Sequence, residues 1–325
     1  YNYAFDPSAT LRRVFVDQDP DDVVLLIDEA HNLYERARRR HSPALHGDAL
    51  IELAAALEQR HDPIHRAARV TLGRLLDYLA QVEEQDGNDE LAIGLFRSVG
   101  GAELKVDAVM RSAQILARTG RLAEARDALQ QARIANPGRA TDLYIAETQL
   151  VQKYADADEA LALYATAISA YPDNPDLLYN RALFVVELGD FAWMERDLLK
   201  LLAEDPDHAD ALNALGYTLA DRNERLDEAF AYVARALKLR PDSAAILDSM
   251  GWVLYRQGDL AQAASYLRRA LQLNQDDEIA AHLGEVLWVS GKHADARAVW
   301  REGLEYAPDS DKIRSAIERL QASYQ

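Results

Sequence analysis

Proline followed by aspartate recurs along this chain, at Pro172-Asp173, Pro206-Asp207, Pro241-Asp242 and Pro308-Asp309, and Pro137 falls in the same series. The first four prolines are 35, 34 and 35 residues apart. The last gap is 67, two periods, with Gln275 standing where a proline is missing. A period near 34 is too long for one helix and fits a pair of helices stacked in an array. That repeat constrains the fold more than any other feature of the 325 residues.

Each element of the repeat has a physical task. Proline ends the second helix of a pair, because it lacks an N–H and biases its predecessor away from the helical region. The Asp after it is expected to cap the next first helix. A small residue in the first helix lets its partner approach: Ala80, Ala113, Ala182, Gly216, Gly251 and Gly284. Glycine marks the turn within the pair at Gly87, Gly120, Gly189, Gly258 and Gly291. The second helix carries an early alanine (Ala92, Ala125, Ala160, Ala229, Ala263, Ala296) and then a large residue (Phe96, Leu129, Tyr164, Leu198, Val233, Leu267, Trp300). Large residues opposite small ones predict closely packed antiparallel helices.

These residues resemble a tetratricopeptide repeat (TPR) array. The resemblance runs over seven helix pairs from about Gly73 to Pro308, closed by an amphipathic helix at Ile313-Ala316-Ile317-Leu320. It implies an all-α, right-handed superhelical solenoid. The block Leu247–Leu271, followed by Ala280–Trp288, is similar to TPR lipoproteins of the bacterial outer membrane. Members of that group present substrates to a carboxyl-terminal processing protease. The resemblance implies a protein or peptide partner, a protease or its substrate, and a periplasmic or outer-membrane-associated site of action. In such an array one face of each first helix lines a concave groove. Here that face holds Tyr179, Asn180, Asn213, Tyr217, Asp248, Trp252, Tyr255, Arg256, His282, Glu285 and Trp288. Trp252 and Tyr255 share a helix face, and Trp288 is expected to extend the aromatic stripe. Aromatic residues and Arg are frequent interface anchors.

The N-terminal segment follows a different logic. Val23–Ile27 is a short apolar run suited to a buried strand, followed directly by Asp28-Glu29-Ala30-His31. With YNYAFDP at residues 1–7, this stretch resembles the DEAH-box region of iron–sulfur-group DNA helicases. By that resemblance Asp28 holds Mg²⁺, Glu29 orients the attacking water and His31 couples nucleotide state to DNA. The chain contains no GxxxxGK[ST] phosphate loop to cradle a triphosphate, so Asp28, Glu29 and His31 are read as a vestigial motif. The expected organisation is a small incomplete α/β segment over 1–72 and a TPR array over 73–325.

Composition narrows the function. Half of the residues are hydrophobic (49%) and 28% are charged, which suits a globular chain, and no apolar run reaches the length of a membrane helix. There is no cysteine, so no disulfide or thiolate metal site. The net charge of −18 divides into −3 over residues 1–72 and −15 over the remainder. An array this acidic repels phosphate backbones, and no nucleic acid is expected on it. No cofactor or metal is expected. The reading is a non-catalytic scaffold or adaptor that binds a protein or peptide in the groove. Two alternatives accompany it: an ATP-dependent helicase-like protein with a TPR tail, cytoplasmic if that segment is native to the chain, and an artificial fusion of unrelated fragments.

Overall fold

A computed structural model describes residues 50–52, 54–55, 63–100 and 102–322. The Val23–Ile27 run and the motif residues Asp28, Glu29 and His31 lie outside them. Fifteen α-helices follow one another from Pro63 onward, with no strand among the described residues. They fall into two compact units, divided between Tyr171 and Pro172.

The first unit holds three pairs: α1 (Pro63–Gln85) with α2 (Asp89–Arg97), α3 (Ala102–Arg118) with α4 (Leu122–Ala135), and α5 (Ala140–Tyr154) with α6 (Ala157–Ala170). The second holds four: α7 (Pro175–Glu187) with α8 (Phe191–Glu204), α9 (Ala209–Asp221) with α10 (Leu226–Leu239), α11 (Ala244–Arg256) with α12 (Leu260–Leu273), and α13 (Asp277–Val289) with α14 (His293–Tyr306). A last helix, α15 (Asp311–Ala322), closes this unit against α13. The pair count is the one expected from the repeat. The 72/73 boundary drawn from sequence falls inside α1, which begins at Pro63.

The repeat residues do what the spacing requires. The early alanines and the large residues of the second helices are buried without exception, from Ala92 and Phe96 in α2 to Ala296 and Trp300 in α14. The small residues of the first helices face them at contact distance. A Cβ at Gly251 would meet Leu267 Cγ at 2.6 Å, one at Gly216 would meet Val233 Cγ2 at 2.5 Å, and one at Gly284 would overlap the Trp300 indole. Each buried large side chain contributes about 1.5–3 kcal/mol of transfer free energy. The turn glycines adopt φ between 76° and 90°, a region closed to most side chains. The α9–α10 turn has one extra residue and no glycine, and there Asn223 and Arg225 take positive φ instead.

One expected role moves by a residue. The Asp of the Pro-Asp pair is not the helix cap. The cap is the residue after it: Asn174 Oδ1 accepts from Leu177 N at 2.9 Å, His208 Nδ1 from Ala211 N at 3.1 Å, and Ser310 Oγ from Ile313 N at 3.2 Å. Two of these Asp residues instead meet a cation 28 and 27 residues on, in the next second helix. Asp207 accepts from Arg235 at 2.7 Å and Asp242 from Arg269 at 2.6 Å. Pro and Asp are the middle of a tight turn, closed at Pro206-Asp207 by His208 N donating to Asp205 O at 3.2 Å, so the residue after Asp is the extended one aligned with the orphan N–H groups of the first turn.

The closing helix keeps the phase of the preceding first helices in its cap and in buried Ile313, which matches Ile246 of α11. The phase puts Glu318 where α11 has Gly251. Glu318 is exposed.

Candidate functional site

The residue directly after the small position is Tyr217 in α9, Trp252 in α11, Glu285 in α13 and Arg319 in α15. Around these four the second unit assembles a connected polar and aromatic cluster. The Trp252 indole stacks on the His282 ring, with centroids 4.0 Å apart and planes 22° apart. Its Nε1 donates to Asp221 Oδ1 at 3.3 Å, and the Tyr255 ring lies 5.1 Å away. Arg256 closes the C-terminus of α9, donating from Nε to Ala220 O (3.0 Å) and from Nη2 to Asp221 O (2.9 Å). A cation there satisfies carbonyls that the helix leaves unpaired.

His282 and Asp248 form the buried centre. His282 Nδ1 lies 2.9 and 3.1 Å from the two Asp248 carboxylate oxygens, and the residues are 9% and 6% exposed. Burial alone would push the imidazole pKa down. The Asp248 charge and hydrogen bond, helped by Glu278 and Glu285, outweigh it and hold the value above the ordinary 6.5.

Two carboxylates on α13 flank His282 and bind the closing helix. Glu278 accepts from Tyr217 Oη at 2.9 Å and from Lys312 Nζ at 2.6 Å. Burial pushes its carboxyl up, but these two donors hold it below the usual carboxylate value. Glu285, 3% exposed, accepts from Tyr255 Oη at 3.0 Å and takes both Arg319 Nη atoms, at 3.2 and 2.5 Å. Burial beside Glu285 pushes the Tyr255 phenol up to about 12, and burial beside Glu278 raises Tyr217 further. Between these groups lies a recess of about 470 Å³, walled by Asp221, Trp252 and Arg256 on one side and by Lys312, Ala316 and Arg319 on the other, with Glu278, His282 and Glu285 between. Among the described residues no three His, Cys, Asp or Glu side chains converge as a metal site.

The first unit has a recess of similar size, about 430 Å³, between α3 and α5. Met110, Ile145 and Ala146 line it with Gln114, Gln149 and Arg111. Its two carboxylates, Asp107 and Asp142, are both paired with Arg139.

Tetratricopeptide repeat family models match residues 100–140 and 155–192, 207–276, and 254–320, together more than half of the chain. The chain belongs to the tetratricopeptide repeat family. It is 44% identical over 254 residues to a TPR repeat-containing protein of Pseudomonas aeruginosa, an overlap of 78% of this chain and 42% of that protein. Over 168 residues it is 25% identical to a human protein O-mannosyl-transferase, covering 50% of this chain and 19% of the transferase. It therefore spans less than half the length of either curated relative. The crystal structure of a tetratricopeptide repeat protein from Parabacteroides merdae superposes with a TM-score of 0.55 at 18% identity, over 67% of this chain and 86% of that one. The all-α TPR solenoid expected from the sequence is thus the fold of the described residues.

Within this TPR array, seven of the eleven groove residues read from sequence come together: Tyr217, Asp248, Trp252, Tyr255, Arg256, His282 and Glu285. Trp288 leaves the expected stripe. It stands four residues after Gly284, as Tyr255 does after Gly251, but its ring lies 5.7 Å from Trp300 and edge-on 4.3 Å from His293, both on α14. The large Trp300 ring in the Gly284 notch gives the Trp288 indole an apolar surface within its own pair. Tyr179 packs 5.6 Å from His208, Asn180 donates to Asp176 O in its own helix, and the Asn213 Oδ1 is buried without a hydrogen-bond partner. None of the three lines the recess. Asp248 and Glu285 are each paired within the unit, Asp248 with His282 and Glu285 with Arg319.

Sequence reading missed Asp221, Glu278, Lys312, Ala316 and Arg319. The phase of the repeat contains the signal for three of them. Glu278 and Lys312 each stand six residues before the small position or its equivalent, and Arg319 follows Glu318 as Trp252 follows Gly251.

Proposed function

We propose that the chain is a non-catalytic adaptor that binds a protein or peptide segment on the first-helix face of its second unit, in the recess around Trp252 and His282. One observation carries the reading. Four alternate helices, α9, α11, α13 and α15, spend their recess-facing positions on a single hydrogen-bonded aromatic and charged cluster, where apolar residues would satisfy the fold equally well. Trp and Tyr beside Arg is the composition of interface hot spots. Membership of the TPR family supports protein partners in general. The resemblance of Leu247–Leu271 and Ala280–Trp288 to lipoprotein adaptors makes a processing protease or its substrate the first partner to try.

Affinity capture with the full chain, followed by mass spectrometry, tests the reading. A partner held by the wild type and lost with Trp252→Ala, at unchanged helical content, supports it. A partner retained by Trp252→Ala moves the site elsewhere. The non-catalytic part has its own test. Asp28-Glu29 without a phosphate loop predicts no Mg²⁺-ATP turnover with or without DNA, and turnover abolished by Glu29→Gln would overturn it.

A further inference from the structure

We propose that His282 is the pH-dependent hydrogen-bond donor of the recess: its protonated ring offers Nε2–H to a carbonyl or carboxylate oxygen of the bound segment, and the bond is lost when the ring gives up its proton. The inference rests on the reading of the recess as the binding site.

The geometry assigns the two ring nitrogens different work. Nδ1 faces both oxygens of Asp248, which as a carboxylate only accepts. Nδ1 therefore keeps its hydrogen whether the ring is charged or neutral, and the proton that comes and goes is the one on Nε2. Nε2 lies across the ring from Asp248 and has no acceptor among the described residues, while His282 is nine-tenths buried and lines the recess. The Nε2 atom itself is not sealed from water, so an oxygen from a ligand can reach its hydrogen from the recess. Among the aromatic side chains of the cluster no other donor is in this position. Tyr217, Tyr255, Lys312 and Arg319 all spend donors on Glu278 or Glu285, and Arg256 spends its donors on the end of α9.

The surroundings favour the charged ring. From α11 come Asp248, the Trp252 face, Tyr255 and Arg256. From α9 come Tyr217, whose ring lies 6.2 Å away, and Asp221. Glu278 and Glu285 flank His282 on its own helix, and Lys312 and Arg319 face it from α15. The carboxylates prevail, so the folded value stands above the ordinary 6.5. The sign of the linkage follows. The stabilisation is complete below 6.5 and is lost as pH rises through the higher folded value. Nε2 then changes from a donor to an acceptor, and a ligand oxygen there meets a lone pair.

The test uses the full chain and needs no identified partner. Imidazole ¹⁵N spectra are recorded from pH 6 to pH 9, alone and with acetate or N-methylacetamide as probes. His282 Nε2 is expected to titrate above 6.5 and to shift with a probe at pH 6. The apparent dissociation constant should rise about tenfold or more by pH 9, the scale of one charge-assisted hydrogen bond. A response to acetate points to a carboxylate, and a response to the amide points to a main-chain carbonyl. In parallel, the melting advantage of the wild type over His282→Gln should shrink from pH 6 to pH 9. A Nε2 silent to both probes at pH 6, or a melting difference independent of pH, overturns the proposal. A partner that binds equally at pH 6 and pH 9 yet is lost with Trp252→Ala also overturns it, and leaves the recess reading standing.

Discussion

Between the helices of each pair the same residue types recur through both units. Ala125, Ala160, Ala229, Ala263 and Ala296 are all fully buried beside a large residue, and Met194 stands at the same position in α8. One residue further along the first helices, that uniformity ends: Tyr217, Trp252, Glu285 and Arg319 share a position and nothing else. The two recesses differ in the same way. The one between α3 and α5 joins apolar residues and amides to Arg111 and two carboxylates, with no aromatic ring in its lining, and the one bounded by α15 is a network of rings and ion pairs. Close helix packing leaves the paired face little choice, because a methyl group at Gly251 already collides with Leu267. The recess face varies from pair to pair, and on the proposed reading that variation specifies a partner.

Mutations can break that comparison. The largest expected effect is on the paired face. Trp300→Ala should cost about 3–5 kcal/mol in denaturant unfolding, since the indole fills the Gly284 notch. It should leave partner affinity per folded molecule unchanged. Trp252→Ala should show the reverse weighting: about 2 kcal/mol lost from binding, read by calorimetry, and less lost from stability than with Trp300→Ala. Equal destabilisation with intact binding would place Trp252 with the paired face, and the distinction would collapse. The smallest effects separate cap from ion pair. Asn174→Ala should lower stability by about 1 kcal/mol through the Leu177 N–H. Asp242→Ala, which removes only an exposed contact to Arg269, should lower it by about 0.5 kcal/mol or less.

The paired face was legible in the sequence because its rule is periodic. Proline, glycine and alanine recur at fixed offsets, each for a steric reason that needs no knowledge of neighbours. The caps were misplaced by one residue because Asp and the residue after it are both plausible acceptors, and only the backbone direction after proline separates them. The recess was half legible. Helical phase identified Trp252, Tyr255 and His282, but the Asp248–His282 pair spans 34 residues and two helices, and nothing local announces it. Trp288 was misassigned for the same reason. Its phase matches Tyr255, while its fate depends on a tryptophan twelve residues later filling the space beside it.

A stack of helix pairs is an open one-dimensional lattice, and each of its ends is a growth surface. In the second unit α15 changes what such a surface offers. Up to α13 every first helix of the second unit offers a hole, Ala182, Gly216, Gly251 or Gly284, into which the next helix seats a large side chain. At the same phase α15 offers Glu318, an exposed charge on a long stem. A helix arriving there, from the same chain or from another copy, meets a carboxylate that must be stripped of water before contact. Glu318 therefore raises the cost of stacking on this face, and Glu318→Gly is expected to lower it.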